Sequence, residues 1–311
     1  MKWLLCLLCA VRCVAAAADI VVTDDRGVTL RLATPALRIV ALAPSITEMV
    51  FAAGAGAQLA AVPRFSDFPP QAAALPQIGD ASSLDAERIL ALQPDLVIGW
   101  KSGNRAADLA RLERLGLKLF VIEPVVLGDV SRVLRAIGAL AGTGAAAEST
   151  ARAFENQVAA LRARYAGAKT VRVFYEIWHQ PLMTVNAQHM ISDVMRLCGG
   201  ENIFAELPVL TPVVSLEDVM ARKPQVVLGG GSSMSGDELA TLWRAQARLT
   251  ALRDLPVLRV DPDAIQRQTP RVLLGADEVC RHLDSVRAQR DRKSTRLNSS
   301  HTDISRMPSS A

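Results

Sequence analysis

The sequence predicts an α/β fold: two Rossmann-like lobes with mostly parallel sheets, joined by one long α-helix. Three observations carry this prediction. The first is Ala145–Tyr165, where Ala151, Phe154, Val158, Leu161 and Tyr165 recur at alternating steps of three and four, one face of an α-helix. Its other positions are mostly Ala, Glu, Arg and Gln, which favour helix, and neither Pro nor Gly interrupts it. Gly167 follows the last turn as a C-cap. At about 1.5 Å per residue the helix is roughly 30 Å long, about the width of a small domain.

The second observation is a repeat flanking that helix. Before it stands Glu87-Arg-Ile-Leu-Ala-Leu-Gln-Pro94-Asp-Leu-Val-Ile-Gly99, and after it Glu217-Asp-Val-Met-Ala-Arg-Lys-Pro224-Gln-Val-Val-Leu-Gly229. Each copy is an acidic residue, a short amphipathic helix, a Pro seven residues on, and an apolar run ending in Gly. The Pro stops the helix and leads the chain into an extended strand. Each copy also follows a Ser-Leu pair, Ser83-Leu84 or Ser215-Leu216, with two extra residues in the first. The third observation is that strand-like and helical runs alternate through both flanks, the pattern of parallel sheets covered by helices.

Taken in order, residues 19–34 alternate apolar and polar around a turn at Asp24 to Gly27, a hairpin. Arg38–Leu42 is a short buried strand. Ser45-Ile-Thr-Glu48 has capping-box spacing and opens a helix over Glu48–Ala53, closed by Gly54. Leu59–Val62 is the next strand and leads into Phe65-Ser-Asp-Phe68-Pro-Pro. Beyond the first repeat copy, Leu109, Leu112 and Leu115 keep helical spacing, before a strand at Leu117–Ile122 and a helix over Val130–Leu140. After the long helix come the strand Val171–Ile177, its loop Trp178–Leu182, and a helix Ile191–Leu197 ended by Gly199-Gly200. The second copy leads to a helix Leu239–Ala245, a strand Val257–Val260, the loop Asp261–Arg267 and a closing helix Arg271–Val286.

A chain of 311 residues, half of them apolar, can fill two cores. Residues 1–18 begin with a Lys, continue with an apolar run and finish in Ala, the pattern of an export signal peptide cleaved near Ala17 or Ala18. Cys6, Cys9 and Cys13 lie inside that leader, and none follows the small residue that a lipoprotein cleavage site needs. The expected boundaries are therefore a leader at 1–18, an N-terminal lobe at 19–142, the connector helix at 143–168, a C-terminal lobe at 169–289 and a tail at 290–311. The tail is polar, rich in Ser and Arg, and lacks a hydrophobic period, so disorder is expected there. It resembles translated sequencing-adapter read-through and is set outside the fold.

The formal charge of +4 does not mark a nucleic-acid binder. Two positive charges, Lys2 and Arg12, sit in the leader and a net three in the tail, which leaves residues 19–289 at about −1 with no basic patch. Outside the leader only Cys198 and Cys280 remain. In an exported chain an even pair reads as one disulfide, the alternative being two buried thiols.

In sheets of this type ligands sit at the carboxyl ends of the strands. Phe65, Phe68, Trp100, Tyr175 and Trp178 cluster in such loops and strand ends, although the whole chain has only thirteen aromatic residues. That placement points to a flat apolar ligand, or alternatively to packing at the lobe rims. Asp263 and Arg267 share one loop, where they either hydrogen-bond a ligand or pair with each other. Enzyme signatures are poor. The run Gly229–Gly236 lacks the Lys of a phosphate loop and the order of a nucleophile elbow. No catalytic constellation is found, and His179, His189 and His282 have no metal-ligand spacing. His179 with Tyr175 offers one route to a haem iron.

Five stretches together carry a family resemblance. Arg38-Ile-Val-Ala-Leu-Ala-Pro-Ser-Ile-Thr-Glu48, Phe65-Ser-Asp-Phe-Pro-Pro70, the helix–Pro–strand run from Glu87, Cys198-Gly-Gly-Glu-Asn-Ile-Phe204 and Thr269-Pro-Arg271 resemble the periplasmic vitamin B12 (cobalamin) binding proteins of ABC importers. The resemblance spans Arg38 to Val286 and implies two lobes joined by a single rigid helix. It implies a non-enzymatic role: capture of cobalamin or a related corrinoid in the periplasm and delivery to the permease dimer of an inner-membrane importer, by a monomer without a cofactor. Phe65 and Trp100 match aromatic positions at the corrin site, Trp178 lies next to a third, and Asp263 and Arg267 match polar ligand contacts. Glu87 and Glu217 match the glutamates that dock on permease arginines, and Cys198–Cys280 matches the family disulfide. Where relatives place tryptophans this chain has Ala81 and Thr211, and Phe65 replaces a tyrosine. Within the same class a haem or ferric siderophore is the alternative ligand, and a two-lobed α/β enzyme is the reading from a different class.

Overall fold

The computed structural model describes residues 19–80, 83–230, 235–247 and 252–304. The expected leader, Ala81 and most of the glycine-rich run after Gly230 lie outside the described residues. An antiparallel hairpin of β1 (Ile20–Thr23) and β2 (Thr29–Leu32) comes first, turned by Asp24, whose Oδ1 accepts from the N–H groups of Arg26 and Val28. β3 (Ile39–Ala41), α1 (Pro44–Ala52) and β4 (Leu59–Ala61) follow, then a short ribbon of β5 (Gly79–Asp80) and β6 (Ser83–Leu84). α2 (Ala86–Ala91), β7 (Leu96–Trp100), α3 (Ala106–Arg114), β8 (Leu119–Ile122) and α4 (Leu127–Ala141) complete the N-terminal lobe. Its main sheet runs β4-β3-β7-β8 with every pair parallel.

The connector is α5 (Gly144–Tyr165). The C-terminal lobe then comprises β9 (Val171–Glu176), α6 (Met190–Leu197), β10 (Gly200–Asn202), α7 (Leu216–Ala221), β11 (Val226–Gly229), α8 (Gly236–Ala247), β12 (Val257–Arg259), α9 (Pro262–Ile265) and α10 (Val272–Ile304). Its sheet, β10-β9-β11-β12, is also wholly parallel and has the same order as the first. In both lobes the first strand sits second in line, so the order reverses at β3/β7 and at β9/β11. Ligands of parallel α/β sheets gather at such reversals.

The repeat persists at the level of single hydrogen bonds. Gln93 and Lys223, each preceding the Pro of its copy, both take left-handed φ, +46° and +49°. One residue past each Pro, Asp95 and Gln225 bind the start of their lobe's first strand. Asp95 accepts from Leu37 and Arg38 N–H, and Gln225 Oε1 accepts from Arg172 N–H at 3.0 Å. Their own N–H groups donate to Arg38 and Arg172 carbonyls respectively.

α5 buries Ala147, Ala151, Phe154, Val158 and Tyr165, nearly the face that the periodicity predicts, with Leu161 half-buried. It packs on α4 so tightly that a Cβ on Gly138 would lie 2.3 Å from the Ala147 methyl. Arg135 of α4 binds Glu148 and Glu155 of α5, both at 2.6 Å, and hydrogen bonds from Arg135 and Arg152 hold the Glu148 carboxyl down at about 2. One apolar cluster continues from Ile46 through Ile137 and Phe154 to Val194 and Leu283. The lobes therefore share a core on the connector side, which limits how far they can hinge, because packed interiors resist deformation.

Four sequence expectations need correction. α1 starts at Pro44, not Glu48, and makes no side-chain cap. A Pro at the first helical position has its φ preset and no N–H to satisfy. Glu48 is consumed elsewhere, as described below. α5 ends on Ala166 in right-handed conformation instead of on a left-handed Gly167. The loop Asp261–Arg267 contains one helical turn, α9, capped by Asp261. The tail expected to be disordered from residue 290 continues α10 to Ile304. Once a helix is nucleated, each further residue adds a hydrogen bond at little cost, and neither Pro nor Gly stops this one before Ile304. A Cys198–Cys280 disulfide ties the end of α6 to α10.

Candidate functional site

The carboxyl ends of the two sheets face each other, and charged groups bridge them. Glu48, in α1 just after β3, is buried, and three side chains of the C-terminal lobe hold it. Its Oε1 accepts from Arg267 Nη1 at 2.8 Å and Arg271 Nη1 at 2.9 Å, and its Oε2 from the Thr269 hydroxyl at 2.9 Å. Arg267 also reaches Asp67 of the loop after β4 at 2.7 Å, and Asp263 of α9 at 2.9 Å. Burial alone would lower the pKa of the Arg267 guanidinium, but hydrogen bonds to Asp67 and Glu48 outweigh it and raise the value. The Arg267 hydrogen bond likewise holds the Asp67 carboxyl below its usual range. Both guanidiniums are fixed charges that orient the carboxylates around them.

Aromatic groups flank this bridge. Phe65 is 72% exposed and has left-handed φ of +66°, a strained conformation for a bulky residue that clusters at functional sites. Phe68 is partly exposed beneath the Arg271 guanidinium, 4.1 Å from its ring centroid. Trp178 is 57% exposed in the loop after β9, and its Nε1–H donates to Gln180 O. Trp100, at the end of β7, is only half-open. Its backbone N–H donates to Asn104 Oδ1, and Asn104 Nδ2 donates to Leu42 O, which ties β7 to the end of β3 at the reversal point. Gly103 lies flat on the Trp100 ring, where a Cβ would overlap it.

Of the residues singled out from the sequence, the structure joins Asp263 and Arg267 directly, and Phe65 and Phe68 flank Asp67 in the loop that Arg267 also binds. Trp100 and Trp178 stand at the strand ends on opposite lobes. Tyr175 does not join them: it is fully buried, and burial pushes its pKa up against the opposing contact with the Gln266 side chain. A phenol so placed presents nothing to the cleft, so the route from Tyr175 to a haem iron is not one this arrangement offers. His179 is separately engaged, with Nδ1 at 2.9 Å from Glu176 Oε1. Burial raises the Glu176 carboxyl, and the His179 hydrogen bond opposes that shift. Gly229 leaves room for this strand end, since a Cβ there would lie 2.5 Å from Glu176 O.

Sequence reasoning missed Glu48, Asp67, Thr269 and Arg271 as functional candidates, although all four stand in the motifs quoted for the family resemblance. Asp263 and Arg267 do pair with each other, and the partner that completes the pair is Glu48. Among the described residues no three His, Cys, Asp or Glu side chains gather to hold a metal ion. A groove of about 580 Å³ lies between α5, α9 and α10, but Leu161, Leu274, Asp277 and Arg281 line it and none of the cleft aromatics does.

Glu87 and Glu217 occupy the second position of α2 and α7, exposed in both lobes. The helix starts are capped by their neighbours. Asp85 accepts from Arg88 N–H, and Ser215 and Asp218 form a reciprocal capping box. Neither glutamate has a salt bridge among the described residues.

This architecture, two parallel α/β lobes around a charged aromatic cleft with one helix between them, is that of a solute-binding protein. Residues 39–264 match the periplasmic binding protein family, and the chain belongs to that family, whose members bind solutes and are not enzymes. Among curated relatives, the vitamin B12-binding protein of Vibrio parahaemolyticus is 36% identical over 256 residues, 82% of this chain and 92% of its own. That of Yersinia pestis is 36% identical over 254 residues, 82% of this chain and 89% of its own. Among solved structures, the periplasmic vitamin B12 binding protein BtuF of Vibrio cholerae superposes with a TM-score of 0.74 at 34% identity, covering 81% of this chain and 98% of that one. The periplasmic heme-binding protein RhuT of Roseiflexus shares the fold, with a TM-score of 0.68 at 23% identity over 80% of this chain and 98% of its own.

Proposed function

We propose that the protein captures cobalamin or a related corrinoid between its lobes and delivers it to the permease of an ABC importer. The observation that carries this reading is the 36% identity over 82% of the chain to proteins named for vitamin B12 binding. The cleft supports it: Phe65 and Trp178 offer exposed apolar faces to a flat macrocycle, Trp100 backs the floor of the N-terminal lobe, and Asp263 with Arg267 supplies polar contacts. The leader at 1–18 would export the chain, and a disulfide suits an oxidising compartment.

Glu87 and Glu217 are the proposed docking points. They hold the same position in equivalent helices, are exposed, and are not needed as caps. One free carboxylate per lobe suits a two-fold partner that offers an arginine on each half. The competing view, that each merely favours its helix N-terminus, is worth about 0.3–1 kcal/mol per residue and needs no partner.

Titration of the purified protein with cyanocobalamin, cobinamide and hemin tests the reading. Micromolar or tighter corrinoid binding without hemin binding is expected. Hemin binding without corrinoid binding would transfer the assignment to the haem carriers of the same class.

A further inference from the structure

The bridging cluster holds three carboxylates, Glu48, Asp67 and Asp263, against two guanidiniums, Arg267 and Arg271. The carboxylates are not equivalent. Glu48 is buried and out of a ligand's reach, whereas the Asp67 and Asp263 side chains are 61% and 48% exposed. Arg267 is 14% exposed, and both of its terminal nitrogens are taken, Nη1 by Glu48 and Asp67 and Nη2 by Asp263. Arg271 gives Nη1 to Glu48 and lays its plane on Phe68. Arg267 keeps no free pair of terminal nitrogens for a bidentate contact with a ligand carboxylate, and Arg271 has one of its two committed to Glu48. The groups most open to solvent are hydrogen-bond acceptors carrying negative charge.

We propose that Glu48 is a specificity-determining residue: by holding Arg267 and Arg271 from beneath as a third carboxylate against two guanidiniums, it leaves the exposed Asp67 and Asp263 rim net negative, so the cleft selects a macrocycle bearing neutral amide side chains over one bearing carboxylates. This rests on the corrinoid reading above and deepens it. The corrin ring is fringed with acetamide and propionamide groups, whose N–H donors suit exposed carboxylates. Haem propionates, or a corrinoid with one amide hydrolysed to the acid, would set like charges a few ångströms apart with only partial screening between the lobes. Discrimination then comes from a repulsive element as much as from an attractive one. Without Glu48 the two remaining carboxylates would only balance the two arginines, and the Nη1 groups that Glu48 holds would be released toward anions. The buried carboxylate thus gives the site its surplus negative charge although it touches no ligand.

The test compares two ligands that differ in a single group, cyanocobalamin and a cyanocobalamin monocarboxylic acid, on the full chain at pH 7 by isothermal titration. The native protein is expected to prefer the amide by about tenfold or more, and Glu48→Gln, which keeps the shape and removes the charge, to shrink that ratio to about threefold or less, mainly by tightening the acid. An unchanged ratio in a Glu48→Gln variant with native circular dichroism overturns the proposal while leaving the corrinoid reading intact. Should Glu48→Gln fail to fold, Asp263→Asn at the half-exposed position decides: a reduced ratio supports the proposal and an unchanged one overturns it. If the native protein binds neither corrinoid, the functional reading fails and this inference fails with it. Raised ionic strength provides a readout that packing alone would not move, since it should narrow the native ratio and leave that of Glu48→Gln nearly constant.

Discussion

Compare the two lobes strand by strand. Their sheets have the same order, their helix–Pro–strand copies take the same left-handed turn at Gln93 and Lys223, and Asp95 and Gln225 make the same clasp on Arg38 and Arg172. The loops beyond the strands share none of this. The N-terminal lobe turns Glu48, Asp67, Phe65 and Phe68 toward the cleft, and the C-terminal lobe answers with Arg267, Arg271, Asp263 and Trp178. The frame is duplicated, whereas the faces are complementary. A symmetric frame can meet a symmetric partner at equivalent points on its outer side, while an asymmetric cleft can grip an asymmetric ligand. The difference separates two jobs that one two-lobed chain must perform.

The lobes also differ in how they are held together, and this gives the largest expected effect. Only the C-terminal lobe carries a disulfide, closing a loop of 82 residues. Replacing Cys198 and Cys280 by Ser should cost about 3–5 kcal/mol in urea unfolding, the loop-entropy scale for this length. A loss below about 1 kcal/mol would show that the shared core, and not the cross-link, holds α6 to α10.

Acid should act on the same lobe next. His189 caps α6 through Nδ1, which accepts from Ile191 N–H, and desolvation lowers its pKa to about 4. The folded value lies below the unfolded one of about 6.5, so the unfolded chain binds the proton first. The full stability is present above about pH 6.5 and falls by up to about 3 kcal/mol as pH drops toward 4. α1 of the N-terminal lobe has no titratable cap. Substituting His189→Asn keeps a capping oxygen and should flatten the pH dependence in that window.

The cleft prediction is smaller and sharpens the asymmetry. Trp178→Ala and Phe65→Ala remove one exposed aromatic from each face, and each should weaken corrinoid binding by about 1–3 kcal/mol. Equal losses place the macrocycle between the lobes. A loss from one side only would place it on one lobe.

The frame was legible in the sequence because its signals are local. A 3.6-residue period, a Pro and a Gly each act within a turn or two, and a repeat doubles the evidence. The cleft was legible only in part. Ser45–Glu48 has the spacing of a capping box, but the partners that claim Glu48 lie 219 to 223 residues away, and no local pattern reports them. Tyr175 stands at a strand end like a ligand contact, yet the shared interlobe core covers it, which depends on how two distant lobes meet. The helix over residues 290–304 escaped notice because apolar periodicity detects packed helices and not polar extensions of them.

The division between a docking frame and a binding cleft is tested most directly by cellular corrinoid uptake with Glu87→Ala and Glu217→Ala combined, measured beside the variant's affinity for cyanocobalamin. Both residues are exposed and unpaired among the described residues, so stability should fall by no more than about 1–2 kcal/mol in all. Affinity should stay within about twofold of the native value while uptake is abolished, because the ligand face is untouched and both docking points are gone. Undiminished uptake at native affinity would contradict the account and return the two glutamates to a purely helical role.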